Sequence, residues 1–331
     1  MTRKMTRLAG VVTTAVTAIA LLSSGTSATV AQPRDTAVTR TAAESVKPPS
    51  GYRSEFAQVN GFRMHYLRGG SGSPVVLLHG FPQTSAEWRP QLDALARDHT
   101  VIAVDLRGTG DSGVPAEGYD TVQLAKDVHV LLSKLGLNDG VQVVAHDIGV
   151  WIAYPYAAMW PAEVSRMAVM EGPILDDSVY EFPSLAPDGG LYVWHHGLFQ
   201  KKLAEQLVAG HEREFVEGFI GQYLAVQNAF SPADYEFFAR YLREPGRFHA
   251  WMRMYQAIVT DVRQNKQLHE AGPLRMPILA IGGEKALAGG VGAQWSGYAT
   301  DVDTRVLAAT GHWVTEERPE ELTNLLLDFL R

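Results

Sequence analysis

Residues 145–149 read AHDIG, directly after a β-branched run, and they place Asp147 at the centre of a tight turn. A helix-compatible run follows. A sharp strand-to-helix turn between small residues, here Ala145 and Gly149, projects one side chain above a parallel sheet and leaves N–H groups at the helix start unpaired. The turn alone therefore predicts either a carboxylate nucleophile at Asp147 or an aspartate that caps the next helix.

The tetrapeptide HGFP (79–82) is the first companion of this turn, since it also follows a buried run. It places the backbone N–H of Phe81 where it can form half of an oxyanion hole. The N–H of Ile148 would form the other half. Such a pair stabilises the negative charge that develops when a carbonyl is attacked. These two groups favour the nucleophile interpretation.

A base and an acid follow the turn in the chain order nucleophile, acid, histidine. His312 lies in a loop before the last helix, within ATGHWVTEERP (309–319). Glu171 ends the run MAVME and Glu284 follows the next strand in GGEK, so two glutamates could orient this histidine. Chain position favours Glu171, and the alternative for Glu171 is a surface carboxylate at a strand end.

An aspartate nucleophile suits attack on sp³ carbon. The attack gives an alkyl-enzyme ester, and water then attacks the ester carbonyl and restores the carboxylate. A serine esterase is disfavoured because no hydroxyl stands at the apex of the turn. Protonated His312 could not act as the base, so its reference pKa near 6.5 predicts a loss of activity in mild acid, at higher pH if Glu171 raises that pKa.

The elements that must position these residues alternate along the chain. Strand-like runs occupy 55–60, 62–68, 74–80, 99–106, 141–146, 165–171, 277–283 and 304–310, and helical patterns occupy 84–97, 121–136, 148–160 and 318–330. This alternation predicts an α/β fold whose mostly parallel sheet is covered on both faces.

The segment 173–273 interrupts the alternation. It has no clear strand pattern and carries aromatic residues at helical spacing, such as Phe215, Phe219 and Tyr223, which we expect to pack a helical core. A helical insertion between two strands predicts a cap over a site at the carboxyl ends of the strands. The predicted domains are a core of 51–172 and 274–331 and a cap of 173–273.

The N-terminus predicts export. Basic residues Arg3, Lys4 and Arg7 precede an apolar run, and small residues allow cleavage after Ala28 or Ala31. The apolar run is shorter than the roughly 18 residues that a membrane span needs, so no stable membrane insertion is expected. We therefore predict a signal peptide at 1–31 for the general secretion route, a flexible leader at 32–50, and an extracellular or cell-envelope protein.

The composition agrees with such a protein. The 331 residues include no cysteine, so an ordinary packed core rather than disulfides must stabilise the exported chain. The formal net charge of −7 and the absence of a basic stripe argue against nucleic acid as a partner.

Residues 51–331 resemble the α/β-hydrolase family through the turn, HGFP and the late histidine. The resemblance implies a mostly parallel eight-stranded sheet flanked by helices, with a helical cap after the sixth strand. Asp147 at the turn narrows the resemblance to two groups of this family, the epoxide hydrolases and the dehalogenases. Dehalogenases often carry Trp directly after the nucleophile, and here that position is Ile148.

The cap residues point to epoxide hydrolases, which usually present two tyrosines to the epoxide oxygen. WMRMYQAI supplies Tyr255, and VWHH supplies a histidine in place of the other tyrosine. The motifs VAHDIG, MEGPI, VWH, VRQN and GHW resemble the secreted bacterial Cif-like epoxide hydrolases, in which the acid is the glutamate of MEGP. The VWH match favours His195. Its rivals are His196 and, as a weaker one, Tyr192. Adjacent helical residues point about 100° apart, so only one histidine is expected to face the site.

The resemblance thus implies a secreted epoxide hydrolase that converts a small apolar epoxide and water to a vicinal diol, with no cofactor or metal. It is also consistent with a homodimer. One alternative is a haloalkane or haloacid dehalogenase with the same nucleophile. An alternative of another class is a secreted effector or binding protein with a vestigial hydrolase site.

Overall fold

The computed structural model describes residues 48–181 and 193–331. The predicted signal peptide (1–31), most of the predicted leader (32–50) and Tyr192 lie outside these residues. Within them, no helix combines the length and the apolar character needed to cross a membrane.

Eight strands form one sheet in the order β1-β2-β4-β3-β5-β6-β7-β8. The first two pairings, β1 with β2 and β2 with β4, are antiparallel, and all others are parallel. The strands are β1 (Tyr52–Val59), β2 (Phe62–Gly70), β3 (Ser73–Leu78), β4 (His99–Val104), β5 (Val141–His146), β6 (Val164–Met170), β7 (Ile278–Gly283) and β8 (Val302–Leu307). The predicted sheet is confirmed.

Helices cover both faces of this sheet, because successive strand residues point to opposite sides. Along β3, Val76 and Leu78 pack into one apolar cluster and Val75 and Leu77 into another. The helices of the core are α1 (Arg89–Leu95), α2 (Thr121–Leu135), α3 (Ile148–Met159), α10 (Gly290–Trp295), α11 (Val314–Glu317) and α12 (Pro319–Phe329). The sequence did not predict α10, which begins in a glycine-rich stretch that weakens the helical pattern.

The described part of the chain between β6 and β7 is helical. It contains α4 (Trp194–Leu198), α5 (Leu203–Val208), α6 (Glu212–Gly221), α7 (Pro232–Leu242), α8 (Arg247–Gln256) and α9 (Ile258–His269). Residues 173–181 and 193–273, the part of this segment that the structure describes, contain no strand. We refer to it as the cap. The domain limits at residues 173 and 273 stay a prediction.

Phe81 joins the cap to the core. Its buried ring lies within 6 Å, centroid to centroid, of cap rings on two helices: 4.9 Å from Phe219 on α6, and 5.1 Å from Trp251 and 5.8 Å from Tyr255 on α8. Each pair meets edge to face, the arrangement that aromatic quadrupoles favour. The residue that supplies a backbone N–H to the site therefore also packs against the cap through its side chain.

Candidate active site

The turn after β5 holds Asp147 in a strained backbone conformation, with φ 51° and ψ −118°. Such a conformation persists only where the surroundings enforce it. Close packing around the turn requires glycine: a Cβ at Gly149 would lie 2.3 Å from the carbonyl oxygen of Leu78, and one at Gly80 would lie 2.5 Å from Cβ of Asp147. The local sequence therefore forces this side chain out above the sheet.

Asp147 occupies the N-cap position of α3, yet its side chain makes no capping hydrogen bond. Its Oδ1 instead accepts a hydrogen bond from the N–H of Phe81 at 2.8 Å, and its Oδ2 lies 3.6 Å from Nε2 of His312. Ile148 is the first residue of α3, so its N–H has no partner inside the helix. The geometry excludes the capping alternative and fits a nucleophile beside two N–H donors.

Glu171 lies against His312 and is buried, with 1 % of its surface exposed. Its Oε2 is 3.2 Å from Nδ1 of His312, and its Oε1 accepts hydrogen bonds from the N–H groups of Gly283 and Leu287. Its backbone is also strained, with φ 50°. Burial excludes the surface-carboxylate alternative.

Glu284, the rival acid, points away from this contact. It accepts a hydrogen bond from the N–H of Ala309 at 2.7 Å and pairs with Lys285 at 2.9 Å, and its side chain is half exposed. The structure therefore brings Glu171 to the histidine, as chain position predicted.

Burial shifts the pKa values of Glu171 and His312 in opposite directions. Burial raises the pKa of Glu171 to about 8, although the N–H of Gly283 opposes the shift. Burial lowers the pKa of His312 to about 4, and the nearby His146 lowers it further. Between these values the pair holds one extra proton, whichever residue carries it. The pKa of His312 thus lies below its ordinary value near 6.5, because a buried imidazolium is poorly solvated.

A cavity of about 570 Å³ opens above Asp147 and is lined by residues of both the core and the cap. Both His195 and His196 line it. The expectation that only one of them faces the site is wrong: α4 is a short helix, and two adjacent side chains on it both reach the cavity. Burial lowers the pKa of His195 well below the usual value and that of His196 to about 4, so both imidazoles are neutral at pH 7.

Tyr255, on α8, is buried beside these histidines and is not among the residues that line the cavity. Its ring centroid is 5.4 Å from that of His195 and 5.3 Å from that of His196. Burial raises the pKa of Tyr255 well above its usual value, and the charge of Asp147 adds to the shift. Its hydroxyl therefore keeps its proton and can donate it in a hydrogen bond.

Tyr223 is a site residue that the sequence did not reveal. It packs against the apolar core, as expected, but it also lines the cavity, just after the end of α6. Its hydroxyl oxygen is 3.4 Å from Nδ1 of His195, and its backbone carbonyl accepts a hydrogen bond from the N–H of His312. Its aromatic spacing matched the core residues around it, so periodicity alone could not distinguish it.

One acidic cluster lies outside this site. Ligand atoms of His65, Asp105 and Asp111 lie within 4.8 Å of one another. Asp105 already accepts hydrogen bonds from the N–H groups of Ser85 and Asp111 and contacts His65. These contacts stabilise a turn. They also occupy most of the hydrogen-bonding capacity of the Asp105 carboxylate, so little of it is free to bind a cation.

Comparison with known proteins identifies the family of the chain. Residues 73–319 match the alpha/beta hydrolase fold family. The chain is 33 % identical over 276 residues to a soluble epoxide hydrolase of Corynebacterium sp. (strain C12), covering 82 % of this chain and 95 % of that protein. The chain therefore belongs to the α/β-hydrolase family and, within it, to the epoxide hydrolase group.

Solved structures agree with this placement. The Cif epoxide hydrolase from Acinetobacter nosocomialis superposes with a TM-score of 0.83 at 29 % identity, covering 86 % of this chain and 91 % of that one. Cfl2 from Burkholderia cenocepacia superposes with a TM-score of 0.82 at 33 % identity, covering 86 % and 98 %.

Proposed function

We propose that the protein is a secreted, Cif-like epoxide hydrolase that converts an epoxide to a vicinal diol through a covalent ester on Asp147. One observation carries the proposal: the Asp147 carboxylate lines a cavity between the Phe81 N–H, a buried Glu171–His312 pair, and cap residues that keep their protons at neutral pH. A nucleophile, a base and neutral hydrogen-bond donors around one cavity are what ring opening and ester hydrolysis need.

In the first step, Oδ2 of Asp147 attacks an epoxide carbon. Oδ1 stays on the Phe81 N–H, so Oδ2 is the oxygen free to form the new bond. The carbon–oxygen bond of the ring breaks while Tyr255 and His195 donate hydrogen bonds to the oxygen, and the oxygen takes a proton from Tyr255. Because burial keeps both groups neutral, Tyr255 has an O–H and His195 an N–H to donate. The product is an alkyl ester on Asp147.

In the second step, water attacks Cγ of the ester. His312 takes the proton from this water, and Glu171 stabilises the imidazolium that forms. The N–H groups of Phe81 and Ile148 hold the oxyanion. Collapse of this intermediate releases the diol, whose leaving oxygen takes the proton held by His312. The remaining acid proton of Asp147 returns to Tyr255, and one oxygen of the restored Asp147 carboxylate comes from the water.

Mass spectrometry tests this route. We expect His312→Gln to form the ester and fail to hydrolyse it, so incubation with styrene oxide, 1,2-epoxyhexane or an epoxy fatty acid should raise the intact mass by that of the epoxide. In the unaltered protein, turnover in H₂¹⁸O should place the label in the peptide that contains Asp147. The absence of both signals across the panel would argue for the binding or effector alternative.

A dehalogenase would use the same Asp147 and the same pair, so product analysis must separate the two. We expect diol from epoxides and no halide from bromoacetate, fluoroacetate or 1-bromobutane. Halide release without diol formation would replace the present proposal by the dehalogenase one. The position directly after the nucleophile, Ile148, offers no indole N–H to a halide, which supports the epoxide assignment.

Export and assembly belong to the same proposal. The signal peptide predicts a mature chain that begins after Ala28 or Ala31, and the intact mass of protein recovered from the culture medium or cell envelope tests it. Retention of residues 1–31 on cytoplasmic protein would contradict export. Light scattering of the mature chain would show whether the homodimer that the resemblance allows is formed.

A further inference from the structure

Tyr223 is a cavity residue that the two steps above do not use. Its ring contacts both the base and a cap donor, since its centroid is 5.9 Å from that of His312 and 6.2 Å from that of His195. Its hydroxyl oxygen is 3.4 Å from Nδ1 of His195, which lines the same cavity. The phenol therefore lies beside a group that already has a role in opening the epoxide ring.

The charge of Asp147 acts on this phenol. Burial raises the pKa of Tyr223, and the Asp147 carboxylate raises it further. The same two causes raise the pKa of Tyr255. Two tyrosines thus lie near the nucleophile, but Tyr223 is among the residues that line the cavity and Tyr255 is not. Tyr223 keeps its proton at neutral pH, so it has an O–H to donate.

The backbone around Tyr223 is bound to the loop that carries His312. The carbonyl of Tyr223 accepts a hydrogen bond from the N–H of His312 at 3.0 Å. Three residues further on, the N–H of Val226 donates to Oε2 of the buried Glu317 at 2.8 Å, and the same oxygen accepts the N–H of Gly311 at 2.9 Å. Directional bonds therefore fix Tyr223 relative to the catalytic base.

We propose that Tyr223 is a third hydrogen-bond donor to the epoxide oxygen, beside His195 and Tyr255. The inference rests on the epoxide hydrolase function proposed above. As the ring opens, the Tyr223 hydroxyl donates to the negative charge that develops on this oxygen and keeps its own proton, while Tyr255 transfers one. A hydroxyl proton rotates about its C–O bond, so the contact with His195 does not prevent this.

The first measurement follows ester formation in His312→Gln, in which the ester should accumulate. Adding Tyr223→Phe should slow the rise in intact mass with an epoxide by about 10-fold, because one of three donors to the developing charge is lost. Phenylalanine keeps the packing of the ring, so the variant should fold.

Tyr235→Phe is the matched control. Tyr235 is also a cap tyrosine, on α7, and its ring stacks on Phe230 at 5.8 Å. Its substitution should leave ester formation unchanged. In the background with His312 intact, Tyr223→Phe should also leave the hydrolysis of a preformed ester unchanged. An equal loss in both steps would show that the substitution only disturbs the base loop, and would overturn the proposal.

A second measurement needs no turnover, so its outcome does not depend on the proposed reaction. Asp147→Asn removes the carboxylate that would repel an anion, and 4-nitrophenolate then serves as a probe with a negatively charged oxygen. We expect its absorbance to report binding to Asp147→Asn. Adding Tyr223→Phe should weaken this binding by about 10-fold, since a hydrogen bond to a charged oxygen is lost.

The outcomes separate the inference from the function on which it rests. An unchanged rate of ester formation in Tyr223→Phe would overturn the inference. So would equal binding of the probe with and without Tyr223→Phe, or no binding of the probe to Asp147→Asn. Failure of His312→Gln to form any ester would instead count against the epoxide hydrolase function, and the probe would still decide whether Tyr223 donates to an anionic oxygen in the cavity.

Discussion

The core side and the cap side of the active site are built in opposite ways. On the core side, Asp147 and Glu171 hold left-handed backbone conformations, and their carboxylates lie 2.7–2.8 Å from backbone N–H donors. On the cap side, Tyr255 and His195 sit on helices among aromatic rings at centroid distances near 5 Å. Directional bonds and strain position the first set, and apolar packing positions the second.

The difference corresponds to two chemical tasks. The core side must hold and move charge, so it carries carboxylates whose charge is stabilised by N–H groups. The cap side must donate hydrogen bonds without becoming charged, and burial keeps its imidazoles and phenols neutral. Changes on the core side should therefore abolish a chemical step, and changes on the cap side should slow one.

Asp147→Asn should give the largest effect, a loss of turnover of about 10⁴-fold or more, because the amide is a poor nucleophile. Diol formation from the epoxide panel measures it. The thermal transition should stay close to that of the unaltered protein, since the Phe81 N–H can still find an acceptor. Substantial residual turnover by freshly prepared variant would break the proposed division of tasks.

Tyr255→Phe and His195→Leu should each slow ester formation by about 10²-fold, since each removes one hydrogen-bond donor to the opening oxygen. Hydrolysis of an ester that has already formed should keep its rate, because that step uses the core side. Rapid-mixing experiments that follow the two steps separately provide the measurement. Slower hydrolysis with unchanged ester formation would reverse the assignment. The same measurement on His196→Leu shows whether the second histidine that lines the cavity takes part in ester formation.

The pH dependence of ester hydrolysis should come from the ionisation of core-side residues alone. The step needs Glu171 ionised and His312 neutral, and the extra proton on this pair blocks it. The rate should therefore be highest in alkali and fall as the pH drops through the raised pKa of Glu171, about 8 in the free protein. Glu284→Gln, an exposed neighbour, should leave the profile unchanged. A rate constant that does not vary from pH 5 to 9 would contradict the assignment.

Two glycine substitutions, one on the core side and one on the cap side, should give the smallest effects. Together they show how rigid each side is. Gly149→Ala places a Cβ 2.3 Å from the backbone of β3 and should lower the free energy of unfolding by about 1–3 kcal/mol. Gly197→Ala, on cap helix α4, meets no atom within 4 Å and should be neutral or stabilise by up to about 1 kcal/mol. Thermal melts measure both. Equal losses of unfolding free energy in the two variants would contradict the proposed difference between the core side and the cap side.

Much of the site could be predicted because it depends on short segments. Strand-like runs, the turn at Asp147 and the HGFP motif are local signals, and His312 and Glu171 lie at fixed places after their strands. The helix α10 was missed because its glycines carry no periodic signal. Tyr223 was missed because an aromatic residue after a helix has the same spacing as one that packs in the core.

The sequence by itself determined the order of the strands along the chain, the turn that carries Asp147 and the residue types available for catalysis. These follow from neighbouring residues, whose propensities and periodicity act over a few positions. Only the tertiary structure decided that Glu171 rather than Glu284 meets His312, that both His195 and His196 line the cavity, and that Tyr223 lies beside His195. Contacts and pKa values of this kind depend on which distant segments exclude water from each other, and burial of that kind is a property of the folded chain.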